Sequence, residues 1–282
     1  MSLRRKRITQ GLFVFLLSVL LPLVQGAGGQ ILPGDQAAAQ GPPQGPALAA
    51  SLPPLFGPQA GAQARPAAVI NCTATTCPAA PAGLPHCIQE TNFCVYYNSS
   101  DNTEAQAQTV ADLVADHWDR YVNDFGFAAP AFTRVSLIDD ASCNGKASVG
   151  ADDMKVYDGC FGTAGAMRQV VGHELFHRFQ LGYNFDALWF HEGTARAGED
   201  MVYTVLDNWT SATTAAFSFN QQVNAYLANT NADLTSDPMR YNSALFWKYF
   251  TEQYGSTLTE PEVGIDTLLE LWQETVSYTH LR

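Results

Sequence analysis

His173-Glu174-Leu175-Phe176-His177 and, one loop later, Trp189-Phe190-His191-Glu192-Gly193-Thr194-Ala195 carry the most chemically loaded side chains of this sequence. The first block falls in a segment, 164–180, that reads as a helix stopping before Gly182. Residues four apart lie about 40° apart around a helix, so both imidazoles can point at one ion. Glu174 projects about 100° from His173, close enough to work on a water held there without becoming a ligand itself. The same spacing also suits an ordinary amphipathic helix with two satisfied histidines, so a third ligand has to separate the two readings. Glu192 stands 15 residues after His177, at the start of a second predicted helix, 189–208. A loop through 182–188 would fold the two helices back on each other and bring Glu192 beside the histidines. Two His and one Glu leave the fourth position of a zinc ion open to water, which marks a catalytic rather than a structural site.

Around these blocks the chain alternates little. Residues 92–98 have the aromatic and β-branched content of a strand, and 103–125 carries apolar residues at helical spacing up to Gly126, with Pro130 beyond it. Two further strands are predicted at 134–138 and 154–157, and helices at 214–228, 241–254 and 263–274. Strands first and helices after predict an α+β domain.

The remainder of the 282 residues divides by composition. Arg4, Arg5, Lys6 and Arg7 precede a hydrophobic run from Leu12 to Val24, the layout of a secretory signal peptide over 1–26, with an uncleaved N-terminal anchor as the alternative. Residues 27–68 are rich in Ala, Gly, Pro and Gln and read as a linker or pro-segment. A domain over 69–275 follows. The segment 276–282 breaks the preceding helical pattern and matches the translation of a transposase-type sequencing adapter, so the natural protein is expected to continue past Thr275. The net charge is −12, and removing 1–26 takes away four basic residues and no acidic one, leaving −16. That charge disfavours nucleic acid and anionic membrane surfaces as partners. The six cysteines (Cys72, Cys77, Cys87, Cys94, Cys143, Cys160) all follow the export signal, and an even count there favours three disulfides. Cys143 is expected to pair with Cys160, with the four upstream cysteines stapling the start of the domain; zinc binding by these cysteines is the alternative.

The third-ligand pattern excludes the metzincins, which place Gly and His where Gln180 and Tyr183 stand here. Instead, the two blocks together resemble the gluzincin zinc metallopeptidases, whose aminopeptidase N-like members carry Trp-x-x-Glu-Gly-x-Ala in the second helix. They are more closely similar to a metalloprotease family of secreted bacterial proteins. That family combines His-Glu-Leu-Phe-His-x-x-Gln, Trp-x-x-Glu-Gly-Thr-Ala-x-x-x-Glu-Asp and Tyr-x-Ser-Ala-Leu-Phe-Trp-x-Tyr-Phe, which occur here as 173–180, 189–200 and 241–250. The resemblance implies a zincin-like (thermolysin-like) fold, with a small sheet, an active-site helix and a mainly helical C-terminal lobe. It implies zinc held by His173, His177 and Glu192, with Glu174 as general base, and a protein or peptide substrate. The shorter His-to-Glu gap, and His191 where Asn is common, depart from the aminopeptidase pattern and favour an endopeptidase.

Other roles remain open between two readings. A gluzincin oxyanion donor is expected from Tyr241, with Tyr183 and Tyr203 as rivals and plain core packing as the other account of Tyr241. Glu199 and Asp200, seven and eight residues after Glu192, would orient a ligand histidine, or would pair with Arg196 along the helix. His191 would touch substrate or lie on the surface. In function, a secreted or periplasmic zinc peptidase stands first. A zincin-fold surface-binding module that has lost proteolysis, or a zinc hydrolase of a non-peptide bond, are the alternatives.

Overall fold

A computed structural model describes residues 77–148, 153–162, 165–183, 188–202, 219–234, 236, 239–257 and 264–279. All of them belong to one unit, Ala68–Arg282. The predicted signal segment and linker, Cys72 and Tyr203 lie outside the described residues.

Five strands form one mixed sheet: β1 (His86–Gln89), β2 (Phe93–Tyr97), β3 (Thr133–Ile138), β4 (Gly145–Ala147) and β5 (Asp153–Tyr157), in the order β1-β2-β3-β5-β4. β2, β3 and β5 run parallel, with Val95 opposite Val135 and Val135 opposite Met154. β1 and β4 pair antiparallel at the two edges. Every residue of β2 is buried, as a strand covered on both faces requires. The predicted strands at 92–98, 134–138 and 154–157 are therefore present, while β1 and β4 add two edges that the pattern did not show.

Helix α1 (Glu104–Asp119) opens with a capping box: Thr103 Oγ1 accepts from the Gln106 backbone N–H, and Gln106 Oε1 accepts from the Thr103 N–H at 2.8 Å. It buries Val110, Ala111, Val114, His117 and Trp118, then widens into a π-helical turn, Arg120–Asp124, that ends at Gly126 with φ 80°. The turn carries Tyr121 into an aromatic cluster. Its ring meets Phe176 and Phe179 edge-on at 5.2 Å each, and Phe127 packs edge-on to Phe176 at 5.4 Å. Each such ring contributes about 1.5–3 kcal/mol through burial and about 0.5–1.5 kcal/mol through edge-on pairing.

Helix α2 (Ala166–Gln180), begun at Gly165 with φ 75°, is buried along nearly its whole length, between β4 and β5 on one side and α1 and α3 on the other. It is thus a central helix rather than a surface helix with one apolar stripe. Then follow α3 (Leu188–Val202), α4 (Phe219–Ala228), the one-turn α5 (Met239–Asn242), α6 (Ala244–Tyr254) and α7 (Ile265–Thr279). The predicted helices at 164–180, 241–254 and 263–274 correspond to α2, α5 with α6, and α7, which runs on to Thr279. The architecture is α+β. Among the described residues no helix is long and apolar enough to cross a membrane.

Among the described residues, two complete disulfides fasten the sheet. Cys143–Cys160, the expected pair, joins the loop before β4 to the turn after β5, and Cys77–Cys94 ties β2 to the preceding chain. Cys87 is disulfide-bonded as well. These five cysteines are consequently not thiolate ligands of zinc, and their oxidation fits a disulfide-permissive compartment.

Candidate metal centre

The full turn of α2 from His173 to His177 places both imidazoles on one face. The chain leaves α2 through a 3-10 turn, Leu181–Tyr183, whose Tyr183 ring packs on Phe127 and Trp272 at 6.3 and 5.9 Å. It re-enters as α3, folded back along α2. Gln180 at the end of α2 holds the return: its Nε2 donates to the His191 carbonyl and to Thr194 Oγ1, both at 3.0 Å. Phe190 is buried against Trp247 and Trp272, at 4.8 and 4.5 Å, and Glu192, two residues on and so on the other side of α3, faces the histidines.

His173, His177 and Glu192 converge so that one donor atom of each lies within 4.8 Å of the others, His173 buried and the other two half-buried. Between the donor atoms, Nε2 to Nε2 is 3.1 Å, and Glu192 Oε2 lies 3.1 Å from His173 Nε2 and 3.3 Å from His177 Nε2. Ligands about 2.0–2.1 Å from a tetrahedral zinc stand about 3.3 Å apart, so these separations match a face of that polyhedron. Both ring Nδ1 atoms are already engaged. His173 Nδ1–H donates to Glu199 Oε1 at 2.7 Å, and His177 Nδ1–H donates to Gln180 Oε1 at 2.6 Å. With the Nδ1 atoms engaged by these acceptors, Nε2 is the nitrogen each ring turns towards Glu192 and the one that would meet a cation. The three residues could therefore hold a metal ion.

Electrostatics tell the same story. Burial works against a charged His173, yet the hydrogen bonds to Glu192 and Glu199 outweigh it and push its pKa up to about 10. Burial also works against the Glu192 carboxylate, and the bonds from His173 and His177 reverse this and hold it well below the usual carboxylate range. A group of two imidazoles walled by carboxylates demands positive charge, from a proton or a metal.

Glu174 is buried beside this group. Burial raises its pKa, against the pull of His173 and His177, and its carboxylate accepts the Ala147 backbone N–H of edge strand β4. That strand lies directly over it: a Cβ at Gly145 would come within 2.6 Å of Glu174 Cγ and of Val170 Cγ1. Tyr241 approaches from the other side, its ring 6.1 Å from His173 and its phenol hydrogen-bonded to Glu192. Burial and the Glu192 charge push the phenol pKa up to about 12, so it stays a donor across the neutral range.

Glu199 makes contact with both residues named for it, His173 and Arg196. One carboxylate oxygen takes His173, and the other takes Arg196 Nη1 at 2.7 Å, all in the interior. The Asp200 side chain lies outside the described residues. Tyr183 is a core residue. His191 is half-buried beside the centre, its ring 6.5 Å from His177 and 5.1 Å from Trp272, rather than on the open surface. The residue that sequence reasoning did not single out as working on the site is Gln180. Its signal was there, three residues after His177 and hence on the same helical face.

Against protein-family models, curated proteins and solved structures, the chain gives no match.

Proposed function

We propose that this chain is a zinc-dependent peptidase of zincin-like fold, exported to an oxidising compartment and acting on internal bonds of protein or peptide chains. The observation that carries the reading is the donor triangle of His173, His177 and Glu192 with both Nδ1 atoms pinned from behind and a buried carboxylate, Glu174, beside it. Two imidazoles and one carboxylate are a zinc donor set with a position left for water. When bound, zinc would supply Lewis-acid polarisation of the substrate carbonyl and a water of lowered pKa.

The chain's own residues supply the rest. Glu174, raised in pKa by burial, takes the proton of the attacking water and passes it to the departing amine. Ala147 N–H steadies the carboxylate that does this. Tyr241, neutral and half-buried, donates its phenolic proton in a hydrogen bond to the carbonyl oxygen as that oxygen gains charge. Its partner before the reaction is Glu192, so the donor is aimed at the centre beforehand.

The test is Glu174→Gln. The variant should bind one zinc per chain as the wild type does and lose at least about 10²-fold in rate on denatured protein substrates, as expected for removal of a general base. Equal rates in the two proteins would sink the mechanism. Folded protein that takes up no zinc would sink the metal assignment.

A further inference from the structure

The oxyanion role proposed for Tyr241 requires its phenol to be held beside donors that lie far earlier in the chain, yet Tyr241 sits on α5, a single turn too short to be stiff by itself. Ser243, wholly buried, ends that turn. Its Oγ lies 2.8 Å from the Arg240 carbonyl and 3.0 Å from the Trp189 carbonyl, bridging the residue before Tyr241 to the first turn of α3. Gly193, directly after Glu192, makes the approach possible. A Cβ there would overlap Ser243 Oγ and come within 2.6 Å of Trp247 Cδ1. Trp247, on the next helix, in turn stacks on Trp189 at 5.0 Å.

We infer that Ser243 is a positioning residue for Tyr241: its hydroxyl, seated in the space that Gly193 leaves open, fastens the α5–α6 turn to the Glu192 turn of α3 and so sets the phenol against Glu192 and His173. The inference rests on the peptidase reading, because it gives Tyr241 something to stabilise. The joint explains why a glycine follows the third metal donor and why a small hydroxyl residue stands two places after the tyrosine. It also separates Ser243 from an ordinary core serine, whose loss would act on stability whether or not Tyr241 is present.

The experiment combines one structure with one double-mutant cycle, using the zinc-loaded full chain and a quenched-fluorescent peptide that the wild type cleaves. In crystals of Ser243→Ala, the Tyr241 ring should have left its place beside His173. In kinetics, Tyr241→Phe should lower kcat about 10²-fold, Ser243→Ala about 10-fold with KM little changed, and the double variant no further than Tyr241→Phe alone. Ser243→Cys, which keeps the shape with a weaker donor, should fall between wild type and Ser243→Ala, and it carries the same cycle if Ser243→Ala does not fold. An unmoved Tyr241 ring, or losses that multiply in the double variant, would overturn the positioning role while leaving the peptidase reading intact. Wild-type kcat in Tyr241→Phe would instead remove the oxyanion role of Tyr241, and the role of Ser243 with it.

Discussion

Glu199 stands outside the His173–His177–Glu192 triangle, yet it governs one of its imidazoles. Its carboxylate fixes the proton of His173 on Nδ1 and is itself held by Arg196, so the imidazole is presented in one tautomer and one orientation. Replacing such an outer partner typically costs about 10–100-fold in metal affinity. Glu199→Gln should therefore weaken zinc binding by that factor in chelator competition, with the fold retained. An affinity within twofold of wild type would mean that His173 keeps its geometry unaided. Gln180 does for His177, with a neutral amide, what Glu199 does for His173 with a charge, so the two candidate ligand histidines are supported unequally.

At the scale of elements, the crossing of α1 and α2 is set by a glycine. A Cβ at Gly172 would come within 2.5 Å of His117 Nε2, and Tyr121 Oη donates to the Gly172 carbonyl at 3.2 Å. His117 is packed against α2 from behind, and burial keeps it neutral, with its pKa down at about 4, despite a bond to the Leu113 carbonyl and the charges of Asp116 and Glu199. The unfolded chain takes up this proton near the ordinary value of 6.5, before the folded one does. Stability from this residue is therefore complete above pH 6.5 and is lost as the pH falls towards 4, by about 3 kcal/mol across that window. Urea unfolding of metal-free protein between pH 7 and 4 should show this slope in the wild type and lack it in His117→Asn; parallel curves would contradict it. The sequence showed α2 as an uninterrupted helical run that stops before Gly182 and α3 as a helix one loop later, and the His–His–Glu geometry follows from the 3.6-residue repeat of those helices plus that loop. β4 was not legible: Gly145-Lys146-Ala147 has no strand character of its own and becomes a strand only because β5 offers it a ladder. Nor were the contacts of Gly193 with Ser243 and of Gly145 with Glu174, which join segments distant in the chain and leave no local periodicity.

For the whole molecule, a metal held at the proposed centre would couple binding to folding, because its donors come from two helices that meet only in the folded state. Zinc at about 1,000 times its dissociation constant would add about 4 kcal/mol. For a domain of roughly 200 residues that corresponds to a Tm about 10 °C higher than after chelation, measurable by calorimetry with and without excess zinc. An unchanged Tm would argue against a metal on these residues. The disulfides act independently of this coupling: Cys143–Cys160 closes a short loop around β4 and β5, so the edge strand over Glu174 is held covalently whether or not the ion is present.

The grip on His173 has a mechanical side. Glu192 and Glu199 stand two turns apart on α3, about 10 Å along its axis, and seize opposite nitrogens of the same ring. His173 thereby acts as a bolt driven from α2 into α3. Sliding one helix along the other, or rolling it about its own axis, would have to break both attachments at once. The two helices are consequently held in register as one rigid body.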